Sequence, residues 1–378
     1  MISLITDTIL IPWHVRLIAS FKSAAFGILI ALLSLPLFVL NEYQAFHDTQ
    51  LIKVLNEDLD NRDNDYQYLQ AETKTSSELV DEIFGVKTDG IHLNRTVFMY
   101  QWQEVVKSKT KKKIGGKEEI INVYDYVKTF ASHPIDSSKF KEPQGHENPP
   151  FKFQSTHQTQ KSVSLGDYNL SSNLLGYLNY FEPLDIKNIN AIQVHGLAYL
   201  QNNHLFMGSD PDVPQIGNYK IKFEHVPNRQ ISLIAQVDQN IILPISNGLF
   251  PIFQFIQPGD VSAKELIQIY KDETGEFTWI VRFVAFVMLF SGLFMLVYPL
   301  IVFCDFVPFL SSFVHKPLFS LVFIVAAILA LCTLTLSWIF VRPILAGTTI
   351  ILMATVYSYR SYKKLADQIE SDYDDQDE

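Results

Sequence analysis

The sequence predicts a membrane protein that has four transmembrane α-helices and a β-rich α+β extramembrane domain inserted between the first two helices. Two runs without a formal charge, 22 residues after Arg282 and 25 residues after Lys316, are each long enough to cross a hydrocarbon core about 30 Å thick. A third uncharged run follows at 343–359, and a fourth occupies 23–41. Soluble folds do not bury so many helices that are apolar all round, so the chain is predicted to cross a membrane several times.

Charged residues beside the uncharged runs predict the side of the membrane that each segment occupies. Arg16 and Lys22 precede the first run and Arg360 follows the last, whereas Glu42 and Asp48 follow the first. Because basic flanks stay in the cytoplasm, both termini are predicted to be cytoplasmic and the long middle to lie opposite. The predicted segments are 1–22 (cytoplasmic), 23–41 (first span), 42–276 (luminal or periplasmic domain), 277–304 (second span), 305–316 (cytoplasmic loop), 317–341 (third span), 342–359 (fourth span) and 360–378 (acidic cytoplasmic tail).

Composition excludes some partners and some kinds of site. The net charge of −10 argues against binding to nucleic acid, which favours a basic surface. Both cysteines, Cys304 and Cys332, lie in or beside predicted spans, so the middle domain has neither disulfides nor a cysteine metal site. The stretch 367–378 has seven acidic residues and no basic ones, which is typical of a solvated tail.

A long β-hairpin is predicted in the first half of the middle domain. Two β-rich runs, at 95–109 and 120–130, flank a basic turn that contains Gly115 and Gly116, so the two glycines are predicted to form the hairpin tip. The turn carries four lysines, which favour a solvated hairpin end; contact with acidic lipid is the alternative. These lysines are Lys109, Lys111, Lys112 and Lys113.

Other elements follow from periodicity and turn residues. Helices are predicted at 1–21 (a weak interfacial helix), 49–60 and 171–181, and a further helix capped by Asp260 or Ser262 leads into the second span. Short β-rich runs separated by Asn, Asp, Gly and Pro between 191 and 246 predict a meander or a small barrel.

Motifs for catalysis are absent from the sequence. No zinc-protease H-E-x-x-H, G-x-S-x-G elbow, phosphate-binding loop or dinucleotide fingerprint occurs, and the nearest metal-like pair, His146 and Glu147, are adjacent residues in a loop. The spans contain no carboxylate or histidine, which disfavours a transporter or a channel. We therefore predict a non-enzyme without catalytic residues, metal ions or cofactors.

Two groups of residues in the spans are assigned structural roles. Aromatic and basic residues at the ends of the spans are predicted to be interfacial anchors: Trp279, Arg282, Trp338 and Arg342. Small residues that allow close helix approach are candidate packing positions: Gly27, Gly292, Ala327 and Gly347. Such residues favour either a compact bundle within one chain or a homo-oligomer, and membrane lipids and other membrane proteins are the remaining predicted partners.

Aromatic residues of the middle domain suggest two kinds of surface. The predicted partner or ligand surface comprises Tyr100, Trp102, His146 and Asn148. The alternative is a sensor that binds a lipid or a small molecule in an aromatic-lined cavity, formed by Tyr100, Trp102, Tyr177, Tyr180, Phe181 and Phe253. Aromatic residues in strands are mostly core residues, which is the competing interpretation.

Several stretches, taken together, resemble the LUMA family, the transmembrane protein 43 family. In chain order these are LLSLPLFVLNE (32–42), MYQWQE (99–104), SKF followed by GHENP (138–149), PQIGNYKIKF (214–223), PGDVSAKEL (258–266), TWIVR (278–282) and WIFVRP (338–343). Two stretches depart from the family pattern: NEYQA stands where the family has NEGRA, and the strand at 217–221 lacks the family's Asp and Arg.

The resemblance implies a four-span protein that associates with itself and holds a large non-cytoplasmic domain against the membrane. It implies a non-enzymatic scaffold that organises membrane protein complexes. Animal members of the family reside in the endoplasmic reticulum and the inner nuclear membrane, and a bacterial member would place the domain in the periplasm. The chain is thus expected in one of these membranes.

Overall fold

The computed structural model of this chain describes residues 5–58, 66–186, 198–201, 203–246, 253–342, 347–348, 351 and 353–362. The chain divides into two compact units. The first unit comprises Met1–Arg16, Gln50–Thr274 and Asp305–Pro308, and the second comprises Leu17–Thr49, Gly275–Cys304 and Phe309–Glu378. The first unit is rich in strands, and the second is helical.

Three long helices dominate the helical content. They are α1 (Trp13–Asp58), α3 (Ala263–Cys304) and α4 (Pro308–Val341), with a short α2 (Ser172–Leu175) and a 3-10 turn at Ser137–Lys139. Each long helix contains a stretch that is long and apolar enough to cross a membrane. Three predicted spans therefore fall on helices. The fourth, 342–359, lies partly outside the described residues, although 353–362 are helical.

The strands of the first unit form two large sheets and a small one. The strands are β1 (Ile5–Ile11), β2 (Tyr66–Thr75), β3 (Leu79–Val80), β4 (Lys87–Thr88), β5 (His92–Lys112), β6 (Glu118–Ala131), β7 (Thr156–Thr159), β8 (Val163–Leu165), β9 (Tyr168–Leu170), β10 (Glu182–Pro183), β11 (Ala198–Gln201), β12 (His204–Met207), β13 (Tyr219–Val226), β14 (Gln230–Asp238), β15 (Ile241–Leu243) and β16 (Ile256–Pro258). The first sheet has the order β1-β6-β5-β13-β12-β11, with β7 beside β5 and β10 beside β13.

The second sheet closes into a small barrel. Its order is β15-β9-β8-β2-β14-β16, and an additional pairing of β15 with β14 joins the ends of a five-strand ring. Apolar residues such as Val163, Leu165 and Ile231 fill its interior and are at most 1% exposed. The prediction for 191–246 was a meander or a small barrel, and β11 to β13 form a meander in the first sheet. The barrel differs from the predicted one, because it combines β14 and β15 with β2, β8 and β9 from distant parts of the chain.

An apolar cluster joins the barrel to the ends of two long helices within the first unit. Leu55 near the end of α1 and Leu266 near the start of α3 are both at most 1% exposed and pack with Ile234 of β14. The rings of Phe255 and Tyr270 stack with their centroids 4.0 Å apart. The chain therefore enters and leaves the domain at one place, which we call the helix-end cluster.

Two helix predictions are confirmed over only part of their length, at 13–21 for the predicted helix 1–21 and at 172–175 for the predicted helix 171–181. The segment 171–181 is helical only over α2, because Gly176 and a series of turns end the helix after one turn. Residues 5–11 form β1 rather than an interfacial helix. The helix that leads into the second span begins as predicted, because Ser262 Oγ accepts a hydrogen bond from the Glu265 backbone N–H over 3.3 Å.

Strand β1 also contradicts part of the predicted sidedness. It pairs antiparallel with β6 over its whole length, from Ile5 opposite Tyr124 to Ile11 opposite Glu118. Paired strands lie about 5 Å apart, so they share one side of a membrane. The predictions that 5–11 is cytoplasmic and that 118–124 is luminal or periplasmic are therefore incompatible with this pairing.

Candidate functional site: an aromatic platform on the long hairpin

Alternation along β5 divides the hairpin into a core face and an outer face. Leu93, Val97 and Met99 point into the core and are at most 2% exposed, while Tyr100 and Trp102 lie on the opposite, half-exposed face. This period of two follows from strand geometry. The outer face of β5 therefore presents aromatic residues although its inner face is buried.

Pairs across β5 and β6 extend this outer face. Tyr100 of β5 is opposite Phe130 of β6, and their ring centroids are 4.9 Å apart. Trp102 is opposite Lys128, whose ammonium lies 4.7 Å from the centre of the Trp102 ring. The Tyr126 hydroxyl donates a hydrogen bond of 2.8 Å to Glu104. Burial and this carboxylate raise the pKa of Tyr126, so its hydroxyl remains a donor at neutral pH.

The loop after β6 adds an imidazole to the aromatic residues. The His146 ring stacks on Tyr126 at 3.9 Å between centroids and meets Trp102 edge-on at 4.8 Å. Its Nδ1 lies 3.0 Å from the Glu142 carbonyl oxygen, so Nδ1 carries the proton and donates to it. We call the five rings the aromatic platform: Tyr100, Trp102, Tyr126, Phe130 and His146.

Two side-chain amides hold this loop against the edge of β5. Asn148 accepts from the Trp102 N–H at 2.7 Å and donates to the Trp102 carbonyl at 2.9 Å, as a neighbouring strand would. The fully buried Gln101 accepts from Ile135 N–H and donates to the His133 carbonyl. Asn148 thus covers an open sheet edge and positions the loop.

The four predicted surface residues are brought together. Tyr100, Trp102 and His146 share the platform, whereas Asn148 uses both amide hydrogens and its oxygen for backbone contacts behind it. Its predicted role as a partner contact is less well supported than that of the three rings. The role of the platform itself remains a prediction.

A buried ionic junction lies at the other end of the same hairpin. The Arg16 guanidinium contacts Asp305 at 2.8 Å and Glu118 at 3.2 Å, and it donates to the Gly116 carbonyl at 2.7 Å. The Lys112 ammonium contacts the other oxygen of Asp305 at 2.8 Å. The Arg16 and Asp305 side chains are 6% and 1% exposed, so these charges are largely removed from solvent.

Glycine is required at the hairpin tip. Gly116 has a φ of +70°, and a Cβ added there would lie 2.4 Å from the Trp13 ring, which packs against the tip. The predicted tip is thereby confirmed. The four lysines are exposed, as predicted, and two of them also form ion pairs, Lys112 with Asp305 and Lys113 with Glu119 at 3.0 Å. Sequence reasoning missed the junction since Arg16 and Asp305 are 289 residues apart.

In the second unit, the predicted interfacial anchors lie at the ends of the uncharged runs. Arg282 forms two hydrogen bonds to Glu42, at 2.7 and 2.9 Å, and lies 4.6 Å from the centre of the Trp279 ring. Arg342 lies 5.6 Å from the centre of the Trp338 ring. Both arginines therefore stack on a tryptophan, an arrangement that suits a membrane interface.

The small residues pack within one chain. A Cβ on Gly27 would lie 2.6 Å from the Gly292 carbonyl oxygen, and the reverse substitution would meet Gly27 at the same distance, so α1 and α3 approach closely here. The predicted packing residue Ala327 is half-exposed, whereas its neighbour Ala326 is fully buried. A Cβ on Gly347 would meet no described atom within 4 Å. Gly27 and Gly292 thus support the compact-bundle alternative.

Comparison with known proteins places these features in a family. The family model for transmembrane protein 43 matches residues 99–343, which is more than half of the chain. The chain belongs to the transmembrane protein 43 family. It is 25% identical to transmembrane protein 43 of Rattus norvegicus over 72% of this chain and 70% of the relative, and 26% identical to that of Homo sapiens with the same coverage. A Drosophila melanogaster homolog is 24% identical over 74% of this chain and 75% of its own. No solved structure matches.

The transmembrane protein 43 match covers the platform and one side of the ionic junction. It begins at Met99 in β5, includes Asp305, and ends just after Arg342. The residues that precede it, including Arg16 and Gly27, lie outside the matched range. The resemblance found in the sequence is thereby confirmed, and the chain is a multi-pass membrane protein of this family.

The aromatic residues predicted to line a sensor cavity lie apart. Tyr177, Tyr180 and Phe181 pack against the barrel core, and Phe253 packs against the helix-end cluster, whereas Tyr100 and Trp102 are on the outer hairpin face. Burial raises the pKa of Tyr180 to about 12, consistent with a core position. A cavity of about 550 Å³ beside Lys152, Phe153 and Tyr219 includes none of the six among its described lining residues.

Within the described residues, no three His, Cys, Asp or Glu side chains are grouped to hold a metal ion. One histidine, His92, is buried and fully hydrogen-bonded: its Nε2 donates to the Leu175 carbonyl at 2.8 Å, and its Nδ1 accepts from Thr159 at 2.9 Å. This pattern fixes a neutral tautomer. Burial lowers the pKa of His92, the Leu175 hydrogen bond opposes that shift, and nearby His157 adds to it.

Proposed function

We propose that the protein is a non-enzymatic scaffold that crosses the membrane four times and organises membrane protein complexes, including complexes with its own copies. The observation that carries this proposal is the aromatic platform. Trp102, Tyr126 and His146 are in ring contact and half-exposed. Hydrogen bonds from Asn148 hold the loop that carries His146 against β5. Rigid aromatic residues with a polar edge are the residues most enriched at protein interfaces.

The surroundings of the platform fit a protein contact better than a reaction. Polar groups at its edge are used for structural hydrogen bonds, such as those of Glu104 with Tyr126 and of Asn148 with Trp102, and Lys128 lies over the Trp102 ring. A site for catalysis would instead need a free acid, base or nucleophile in a cleft.

The self-association part of this proposal no longer rests on Gly27 and Gly292, which pack against each other within one chain. It rests on the large apolar side chains that the helical unit leaves exposed, such as Phe283 at 68% and Leu331 at 67%. Lipid covers such side chains in a monomer, and a second copy would cover them in an oligomer.

Site-specific photo-crosslinking in native membranes tests the proposal. A photoreactive phenylalanine analogue at Tyr100 is expected to give discrete protein adducts, because Tyr100 is part of the platform. The matched control is the same analogue at Val213, which is 63% exposed in a loop of the same unit. The proposal would fail if both positions gave equal adduct patterns, or if the purified full-length protein were strictly monomeric and partner-free in mild detergent.

A further inference from the structure

A groove between α1 and α4 lies within the second unit. It encloses about 540 Å³, a volume in the range of ligand sites in proteins, and is lined by Leu35, Val39, Tyr43, Phe46 and His47 of α1 together with Thr333, Leu336, Ser337, Phe340 and Val341 of α4. The hydroxyls of Thr333 and Ser337 donate to carbonyls of their own helix, at 2.8 and 2.7 Å. The wall of the groove is therefore apolar.

The groove spans the boundary between apolar and polar parts of both helices. In α1 the uncharged run ends at Asn41, and the lining continues to His47; in α4 the run ends at Val341, directly before Arg342. Its lower part is thus at the depth of lipid chains, and its mouth is at the depth of the headgroups. Tyr43, His47 and Arg342 supply the polar groups at that mouth.

The two arginines at this level differ in one respect. Both stack on a tryptophan, but Arg282 is neutralised by two hydrogen bonds to Glu42. Arg342 lies over the rings of Trp338 and Phe46, at 5.6 and 5.9 Å, and among the residues that the structure describes no carboxylate lies within ion-pair distance of it. A guanidinium that is partly removed from water and not paired is a strong site for an anion.

We infer that this groove binds one anionic phospholipid, with an acyl chain along the apolar wall and a headgroup phosphate oxygen on Arg342. Charge complementarity selects the occupant, because the described lining residues include no carboxylate and the flanking Arg342 has no described ion pair. Of the two carboxylates beside the lining residues of α1, Glu42 pairs with Arg282 and Asp48 accepts a hydrogen bond from Gln44. The phosphate would neutralise the Arg342 guanidinium, as the Glu42 carboxylate neutralises that of Arg282. This inference concerns the helical unit and does not depend on the scaffold role.

Native mass spectrometry of the full-length protein in mild detergent tests this site. Phosphatidylglycerol and phosphatidylcholine with identical acyl chains are added in turn, and the retained lipid is counted. The wild type is expected to retain one phosphatidylglycerol in preference to phosphatidylcholine by about tenfold, because both lipids carry the phosphate but the choline ammonium of the second repels Arg342. Arg342→Gln is expected to remove the preference, and Arg342→Lys to keep part of it.

Two further variants separate the groove from general effects. Arg360→Gln removes the same charge from an exposed helical position and is the matched control, which should behave as the wild type. Leu336→Trp fills the groove and should reduce retention of both lipids. The inference is overturned if Arg342→Gln keeps the preference, if Leu336→Trp retains lipid fully, or if the wild type retains neither lipid. Unchanged elution volumes identify variants that remain folded.

Discussion

Two places within the first unit bring together segments that are distant in the sequence, and the two differ in their chemistry. At the helix-end cluster, Leu55 and Leu266 are buried among apolar side chains of the barrel. At the ionic junction, Arg16 and Asp305 are equally buried but interact through charge with Lys112 and Glu118 of the hairpin. Burial of apolar surface is non-directional and independent of salt, whereas a buried ion pair depends on the presence of each partner.

This difference predicts how the helix-end cluster and the ionic junction each respond to a single substitution. Removing a methyl group from the helix-end cluster leaves a cavity, and the remaining side chains still pack. Removing the Asp305 charge from the junction leaves the buried Arg16 with Glu118 as its remaining carboxylate partner, so the cost is smaller than for a fully unpaired buried charge. The junction therefore specifies which segments meet, and the cluster supplies more of the stability.

The largest effect is expected for Leu55→Ala. The side chain is fully buried, so the substitution should lower the local free energy of unfolding by about 2–5 kcal/mol. Hydrogen–deuterium exchange of residues 230–238 and 263–272 in detergent measures this loss, and it should not change with salt. Val54→Ala, at a 43% exposed position on the same helix turn, is the control. Equal effects at both positions would show that the cluster does not stabilise the domain.

A smaller effect is expected for Asp305→Asn. Breaking a buried ion pair costs about 3–5 kcal/mol, and we expect about 2 kcal/mol here because Glu118 still pairs with Arg16. The loss should appear as faster exchange at residues 5–11 and 109–118, with no change at 230–238. Asp7→Asn, which removes a half-exposed pair with Lys141 from the same sheet, is the control. Unchanged protection at the hairpin tip would contradict the junction.

A graded dependence on pH is expected from the domain core. The pKa of His92 is lowered in the folded state, so the unfolded state binds a proton more readily. Its contribution is therefore fully present above a pH of about 6.5 and is lost as the pH falls through the folded pKa. Unfolding of the full-length protein followed between pH 5 and 8 should show this slope. His92→Gln should flatten it, and an unchanged slope would exclude His92 as its source.

The smallest effect is expected for Lys112→Gln. This lysine is 45% exposed, so its pair with Asp305 is screened and should contribute about 0.2–1 kcal/mol. Exchange at the hairpin tip should increase slightly at low salt, and the difference from the wild type should vanish at high salt. An effect as large as that of Asp305→Asn would mean that Lys112, rather than Arg16, neutralises the carboxylate.

Local signals in the sequence predicted the local parts of this structure. Gly115 and Gly116 located the hairpin tip, since only glycine accepts the backbone conformation and the Trp13 contact there. Uncharged runs located three long helices, and Ser262 marked the start of α3. In each case the determining residues are close together in the sequence.

Long-range pairing could not be predicted in the same way. Strand β1 finds its partner more than 100 residues away, and its short apolar run fitted a weak helix equally well. The ionic junction joins three distant segments, and barrel closure depends on β15 and β9, which are not consecutive. Ala326 and Ala327 are adjacent, and adjacent residues on a helix point about 100° apart. Composition alone does not show which of the two faces the neighbouring helix.

The most direct test is the side of the membrane on which β1 lies, because its pairing with β6 places it beside the hairpin tip and the ionic junction. Single cysteines at Thr8 and Ile114, both exposed, are placed in a chain whose Cys304 and Cys332 are replaced by serine. A membrane-impermeant maleimide added to sealed vesicles should label both positions or neither, with full labelling after permeabilisation. Labelling of one position from outside and the other only after permeabilisation would contradict the pairing of β1 with β6.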